Sequence, residues 1–252
     1  MTPNLCQMNV DERDDMEVIA DLSDLKNIHL GQKCFVVGAG PSLDFQQIVL
    51  FQHQHVVISV NSSIMMMSWQ YWNPNKDNSY WLSNDSLCMQ WSYFKGYVIT
   101  ANCTKLIRTS WRKYYDQIEG QGFRFFAPRL SQNIPLESGD GGLCFGSSVL
   151  SAIDLALLMG CKQIYLLGVD QRMKDGKSHF WQFWPQFRQP VYYSKVANSP
   201  KRQQRAVFDL NVPVFKALRE YAGRLGAVIK NCSEFSLLKE YEKVTLRTAL
   251  LE

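Results

Sequence analysis

The stretch "FVVGAGPSL", residues 35–43, does more than any other to limit what this chain can become. An apolar run stops at two glycines, and a proline then stands where a helix would begin. Proline suits a first helical turn, because the N–H it lacks has no intrahelical partner there. Lys33 to Val37 therefore reads as a strand and Ser42 to Phe51 as a helix. "HVVISVN", His55 to Asn61, reads as a second strand, buried on both faces. Strand, helix and strand in that order make a parallel pair with a helical crossover. The fold class expected from this unit is α/β, a doubly wound, mostly parallel, Rossmann-like sheet.

The remainder of the chain continues the alternation. "SYWLSND" (Ser79 to Asp85), "GYVITAN" (Gly96 to Asn102) and "GFRFFAP" (Gly122 to Pro128) read as further strands. "SGDGGLCFGSS" (Ser138 to Ser148) reads as a glycine-rich loop. A serine-capped apolar helix then runs to Gly160, and "KQIYLLGVD" (Lys162 to Asp170) is a buried strand. Val212 to Ser233 reads as a helix, a glycine stop and a last strand. Residues 11–30 read as a helical N-terminal arm. Residues 180–205, aromatic and then basic, read as a lid or insertion. With 252 residues the chain suits a single α/β nucleotide-binding domain spanning 1–252.

The glycine turn departs from the dinucleotide fingerprint. GxGxxG needs a third glycine where Leu43 stands, and an acidic residue at the end of the second strand, where Asn61 stands. What remains is Gly38 and Gly40 for a tight turn, Pro41 to start a helix, the hydroxyl of Ser42, and a helix start whose N–H groups favour an anion. Ligands of open α/β sheets bind at the carboxyl ends of the strands. Asn61 and Asp170 both stand at such ends, and Gly146, Ser147 and Ser148 precede a helix that forms a second N–H cradle. These nine residues are the candidate nucleotide site.

Charge and cysteine usage narrow the setting. A net charge of +4 with no RNA-binding motif leaves out nucleic acid as a partner. The basic residues Lys195, Lys201, Arg202 and Arg205 leave peripheral membrane contact open. The 7 cysteines form no CxxC pair and no zinc spacing, as in reduced thiols of a cytoplasmic protein. The polar, acidic start "MTPNLCQMNVDERDD" does not read as a signal peptide, and no apolar run reaches bilayer length.

The segments "VVGAGPSL", "ISVNSS" and "GSSVLSAIDLALLMGCKQIYLLGVDQRMKDGKSHF" together resemble the superfamily of the archaeal hydroxymethylpterin diphosphokinase-like proteins, which includes the Maf-type flagellin glycosyltransferases. The same pattern is similar to the bacterial CMP-sialic acid sialyltransferases. It covers about residues 33–180 and the final helix and strand. The pterin kinases share an acidic metal segment. Here the matching stretches are "VNSS" and "LSND", with Asp85 as a lone carboxylate, whereas Mg²⁺ with a triphosphate wants more oxygen ligands. The sialyltransferases share an asparagine at the place of Asn61. Their phosphate-contacting tyrosine pair falls near Arg172 and His179. The place of their histidine base is Tyr193, a poor base at pH 7 with its usual pKa of about 10.

The resemblance implies a glycosyltransferase-like enzyme that moves a sugar, of the nonulosonic or sialic type, from a CMP-activated donor to a surface glycan or protein. Arg172 and His179 would be catalytic, receiving the departing phosphate with His179 as the acid. Trp181, Trp184 and Tyr193 would line a lid or acceptor surface. No cofactor or metal is required. The alternative is a pyrophosphokinase of the hydroxymethylpterin type, with ATP, Mg²⁺ and Asp85 at the metal. A catalytically silent nucleotide-binding protein is the third reading, and oligomerisation is left open.

Overall fold

The computed structural model describes residues 22–44, 55–67, 77–110, 118, 122–129, 142–144, 146–184 and 201–252. Among them nine strands form one sheet: Lys33–Val37 (β1), Val56–Val60 (β2), Ser79–Ser83 (β3), Thr104–Arg108 (β4), Phe123–Arg129 (β5), Gly142–Cys144 (β6), Gln163–Leu167 (β7), Val228–Asn231 (β8) and Glu242–Lys243 (β9). Their order is β6-β5-β4-β3-β2-β1-β7-β8-β9, and every pairing is parallel. The chain winds outward from β1 to β6, then returns to the other side of β1. The strand order therefore reverses between β1 and β7, and a doubly wound sheet opens its crevice at such a reversal.

Side chains alternate across each strand, so one run feeds two cores. Cys34 and Val36 of β1 enter the layer with Ile58, Leu82, Leu106 and Leu166. Phe35 and Val37 enter the opposite layer with Val57, Trp81, Ile107 and Leu167. Strands covered on both faces read as near-continuous apolar runs, which is why "CFVV" and "VVISV" carry no polar residue on an outward face but Ser59. The first layer is closed by the helices Ser148–Leu158 and Lys201–Arg224. The second is closed by the short helix Ile64–Met67 (α1), by Trp91, Phe94, Phe180 and Trp181, and by the helix Leu246–Leu251. In chain order the other three helices are α2, α3 and α4. The last is tied down where Lys33 donates to the carbonyls of Ala249 and Leu250, and where Glu252 accepts from Tyr165 and Lys230. No helix among the described residues is long and apolar enough to cross a membrane.

Three segments differ from the sequence expectation. Residues 96–102, expected as a strand, lie in a π-helix at Phe94–Val98 and the turn after it; Phe94 and Val98, four apart, face the core. The strand follows at β4, where a lysine and an arginine interrupt the apolar pattern. Residues 201–205, placed with the lid, are the start of α3, which runs through Pro213. The described part of the N-terminal arm is not a free helix. A 3-10 turn at Ser23–Leu25 sends Leu22 and Leu25 into the core, and Asn27, His29 and Gly31 donate to the carbonyls closing α2. Residues 11–21, the body of the helix expected after Ser42 (45–51), and 185–200 of the lid lie outside the described residues.

Candidate functional site

Two polar clusters sit at the carboxyl ends of the strands. The first occupies the β1/β7 crossing. Gly38 N–H donates to Leu167 O at 2.7 Å, Gly40 N–H to Gly168 O at 2.8 Å and Leu43 N–H to Gly40 O at 3.1 Å. Ser42 gives Asp170 both its N–H (2.8 Å, Oδ2) and its hydroxyl (2.5 Å, Oδ1). Ser233, just past β8, brings a second hydroxyl to Asp170 Oδ1, the third donor to the carboxylate, and its oxygen lies 2.7 Å from Ser42 Oγ. Asp170 is 3% exposed. The anion that a glycine turn at a helix start attracts is thus supplied by the protein itself. Gly38, Gly40, Pro41 and Ser42, expected as a phosphate cradle, here stand with their donors already engaged by the protein. The amides of both glycines and of Ser42 are spent inside the fold, and Pro41 has none. Asp170 fastens the turn from across the crossing.

The second cluster joins β2, β3 and α2. Asn61 follows β2 with φ +52°, a left-handed conformation that asparagine tolerates better than most side chains. Trp81 Nε1 holds its carbonyl at 2.9 Å. Its Oδ1 accepts from Ser83 Oγ at 2.7 Å and from Ser148 Oγ at 3.0 Å, which leaves the amide N–H₂ as the group Asn61 presents. Ser148 also accepts the Asn84 N–H at 2.9 Å, and Asn84 Nδ2 donates to Ser151 at 2.8 Å. The Oδ1 of Asn84 is buried with no hydrogen-bond partner among the described residues. A buried acceptor left in that state costs about 1–3 kcal/mol, so it marks a place where a ligand's donor would fit. The cluster is closed by the start of α2, where Ser147 caps the helix by accepting from Leu150 N–H at 3.4 Å, and no acidic side chain stands in the first turn.

Of the residues singled out in the sequence, Asn61 and Ser148 are joined here by a hydrogen bond, and Ser147 caps the helix that carries Ser148. Ser83, Asn84 and Ser151 carry no signal in the sequence, since each gains meaning from a partner more than 60 residues away or from its strand end. The glycine-rich loop is partly a strand: Gly142–Cys144 pairs with β5, held by Ser151 and the buried Asp154 of α2. Gly146 is exposed with φ +137°. Asp85 closes the end of β3, its N–H on Ser83 Oγ at 3.1 Å. Its charge counteracts the burial that pushes the Arg108 guanidinium of β4 down from its ordinary value. Among the described residues no three His, Cys, Asp or Glu side chains group around a possible metal position.

The segment after Asp170 is more ordered than a lid. Phe180 N–H donates to Ala39 O at 3.1 Å, so the chain returns directly onto the glycine turn. Phe180 and Trp181 are buried in the second core layer and Trp184 packs against it. Trp181, expected at a lid or acceptor surface, is thus 4% exposed and part of the core. Tyr193 lies outside the described residues. Gln182 Oε1 accepts the N–H of Ser178 at 2.7 Å and of His179 at 2.9 Å, which caps a 3-10 turn at Phe180–Gln182. His179 is half-buried, stacks on Trp181 at 5.5 Å and faces Ser178 Oγ through Nδ1 at 2.8 Å. Burial pushes its pKa down to about 4. The ring is therefore held neutral at pH 7. Arg172 is exposed, its guanidinium 3.9 Å from the centre of the Phe235 ring.

The histidine makes a stability prediction. Folded His179 resists protonation until about pH 4, whereas the unfolded chain protonates near 6.5, so the unfolded state binds the extra proton between those values. Stability therefore falls as pH drops from about 6.5 towards 4. His29 and His55, both also pushed down by burial, add to the same slope. His179→Gln is expected to flatten it. Urea melts at pH 7.0 and 5.0 check this; an unchanged difference between the two pH values would show that the ring titrates normally.

No protein-family model matches the chain, and no curated protein matches it. Solved structures do. The Maf glycosyltransferase from Magnetospirillum magneticum AMB-1 superposes with a TM-score of 0.55 at 16% identity, over 87% of this chain and 34% of that one. The chain thus spans about a third of the Maf enzyme's length. The sialyltransferase CstII from Campylobacter jejuni, in complex with the substrate analogue cytidine-5'-monophosphate, gives 0.49 at 16% identity over 86% of both chains. An alpha-2,3-sialyltransferase from the same organism, in apo form, gives 0.47 at 12% identity over 86% of this chain and 82% of that one. The parallel nine-stranded sheet and the likeness to the Maf enzyme together show an α/β, Rossmann-like fold of the kind found in that glycosyltransferase.

Proposed function

We propose that the second cluster binds a nucleotide-activated sugar and that the chain is a glycosyltransferase-like transferase. The observation that carries this reading is the neutral ledge of Asn61, Asn84 and Ser148 at the mouth of α2. It offers an amide N–H₂, an unpartnered buried carbonyl oxygen and the positive end of a capped helix. Hydroxyls and ring nitrogens of a nucleoside match the first two, and a phosphate matches the third. The fold shared with the Maf glycosyltransferase supports the transferase class. A CMP-linked donor of the nonulosonic type, and a surface glycan or protein as acceptor, are the finer reading that the resemblance in the sequence supports.

In this reading the developing charge on the departing phosphate falls to α2 and to Arg172. Fixed donors aimed at such charge act without reorganising. His179, being neutral, orders the loop beside the glycine turn instead of protonating the leaving group.

CMP without added metal is expected to raise the melting temperature by about 5–10 °C at a hundred times its dissociation constant, from roughly 2.7 kcal/mol of linkage for a chain of this size. Asn84→Ala is expected to cancel that shift. The panel is CMP, CDP, UDP, GDP and ATP, each with and without Mg²⁺. Stabilisation by ATP with Mg²⁺ alone would replace this reading with the pyrophosphokinase.

A further inference from the structure

Beyond Arg172 the chain makes a tight hairpin that the nucleotide site does not use. Lys174 and Lys177 exchange both backbone hydrogen bonds, at 2.9 and 2.8 Å. The two residues between them, Asp175 and Gly176, have φ +50° and +73°. Two central residues of positive φ make a type I′ turn, the connection whose twist suits a two-residue hairpin. The turn sets the lysines directly opposite each other. Both ammonium groups sit above one ring: Lys177 Nζ is 4.2 Å and Lys174 Nζ 5.9 Å from the centre of Phe183. Lys174 is also 6.0 Å from Phe235, the ring that carries Arg172.

Like charges placed opposite each other in a hairpin repel. Ion pairs among the described residues involve neither lysine. The ring faces hold the two cations in place through cation–π attraction but do not neutralise them. An oxyanion with two or more oxygens between the ammonium groups would remove the repulsion and complete their hydrogen bonding. The hairpin's place in the fold says which molecule brings it. It leaves β7 at Asp170 and returns to the glycine turn at Phe180, whose N–H is on Ala39 O. Both ends are therefore fixed at the sheet's carboxyl edge, the same edge that carries the proposed donor site.

We propose that Lys174 and Lys177, seated on Phe183, form a subsite for a carboxylate or phosphate group of an acidic glycan acceptor. The proposal deepens the glycosyltransferase reading and rests on it for the word acceptor. The binding preference itself stands on the hairpin.

The test measures affinity by calorimetry for trigalacturonate and for maltotriose, an acidic and a neutral trisaccharide of equal length. Phosphatidylcholine vesicles with and without phosphatidylserine are run in parallel, and the CMP melting shift serves as a separate readout. The acidic trisaccharide is expected to bind at least tenfold more tightly. Lys174→Ala/Lys177→Ala is expected to remove that preference while leaving the melting temperature and the CMP shift unchanged. Equal affinity for the two sugars, or a preference that survives the double variant, overturns the subsite. So does a lysine-dependent affinity for phosphatidylserine vesicles without any preference among the sugars. An acid preference that depends on the lysines, in a protein that no nucleotide stabilises, upholds the anion subsite and removes the glycosyltransferase reading instead.

Discussion

Gly40→Val is expected to leave no cooperative thermal transition. A Cβ on residue 40 would lie 2.5 Å from Asp170 Oδ2 and 2.6 Å from Gly168 O. The carbonyl cannot retreat, because it accepts the Gly40 N–H at 2.8 Å and belongs to a residue that is itself held at φ +60°. Gly38 is pinned in the same way, with Gly168 O 2.5 Å from its Cβ position. These contacts are backbone against backbone at the centre of the sheet, so the cost is on the order of 4–5 kcal/mol or more, a large share of an ordinary domain's stability. Circular dichroism melts of Gly40→Ala and Gly40→Val measure it. An alanine variant melting within about 2 °C of the parent protein would show that the turn yields. Removing Asp170 cannot rescue the valine variant, since the carbonyl remains. The glycines are thus required to bring β1 and β7 together, before any ligand is considered.

Asp170→Ala is expected to cost about 3 kcal/mol, or roughly 6–12 °C of melting temperature for a chain of this length. The carboxylate accepts from the Ser42 N–H and from two hydroxyls. Without it the two serine hydroxyls, 2.7 Å apart, are free to bond each other, but the Ser42 amide loses its acceptor. Asp170→Asn keeps the shape and one carbonyl acceptor, so about half the loss is expected. Ser42→Ala combined with Asp170→Ala should cost less than the sum of the single changes, as for any pair in one network. Chemical denaturation of the four proteins checks this, and additive effects would mean that the serine and the aspartate do not act together.

Elements made by one continuous apolar run were legible in the sequence. β1, β2, β3 and β7 are buried on both faces, so their composition alone announces them. β4 was not, because "TKLIR" places Lys105 and Arg108 in a strand. Lys105 is buried only by laying its stem along Phe123 and giving its ammonium to Ile99 O at 3.1 Å. Three residues of β6 and two of β9 are too few to show any period. The helix read from Val212 begins at Lys201, so α3 carries Pro213 internally.

For the site, residue type at a strand end was enough to find Asn61 and Asp170. The roles were harder. Whether an N–H at the glycine turn meets a phosphate or a carboxylate of the protein depends on Ser233, 191 residues beyond Ser42. Whether His179 carries a proton depends on burial under the returning chain. Neither is a property of the motif that contains it.

The central position of β1 has a consequence for how the molecule is made. On one side β1 pairs with β2, whose first residue is 23 positions away; on the other, Lys33 pairs with Gln163. A ribosome adding about 5–20 residues per second needs roughly 7–26 s to make the intervening stretch. Throughout that time the nascent chain presents β1 with one open hydrogen-bonding edge and two apolar faces, the form most prone to pair with the wrong partner. The sheet closes over that edge only when β7 arrives, and β8 and β9 can pair only after it, so one side of the sheet is laid down in a single late stretch of synthesis.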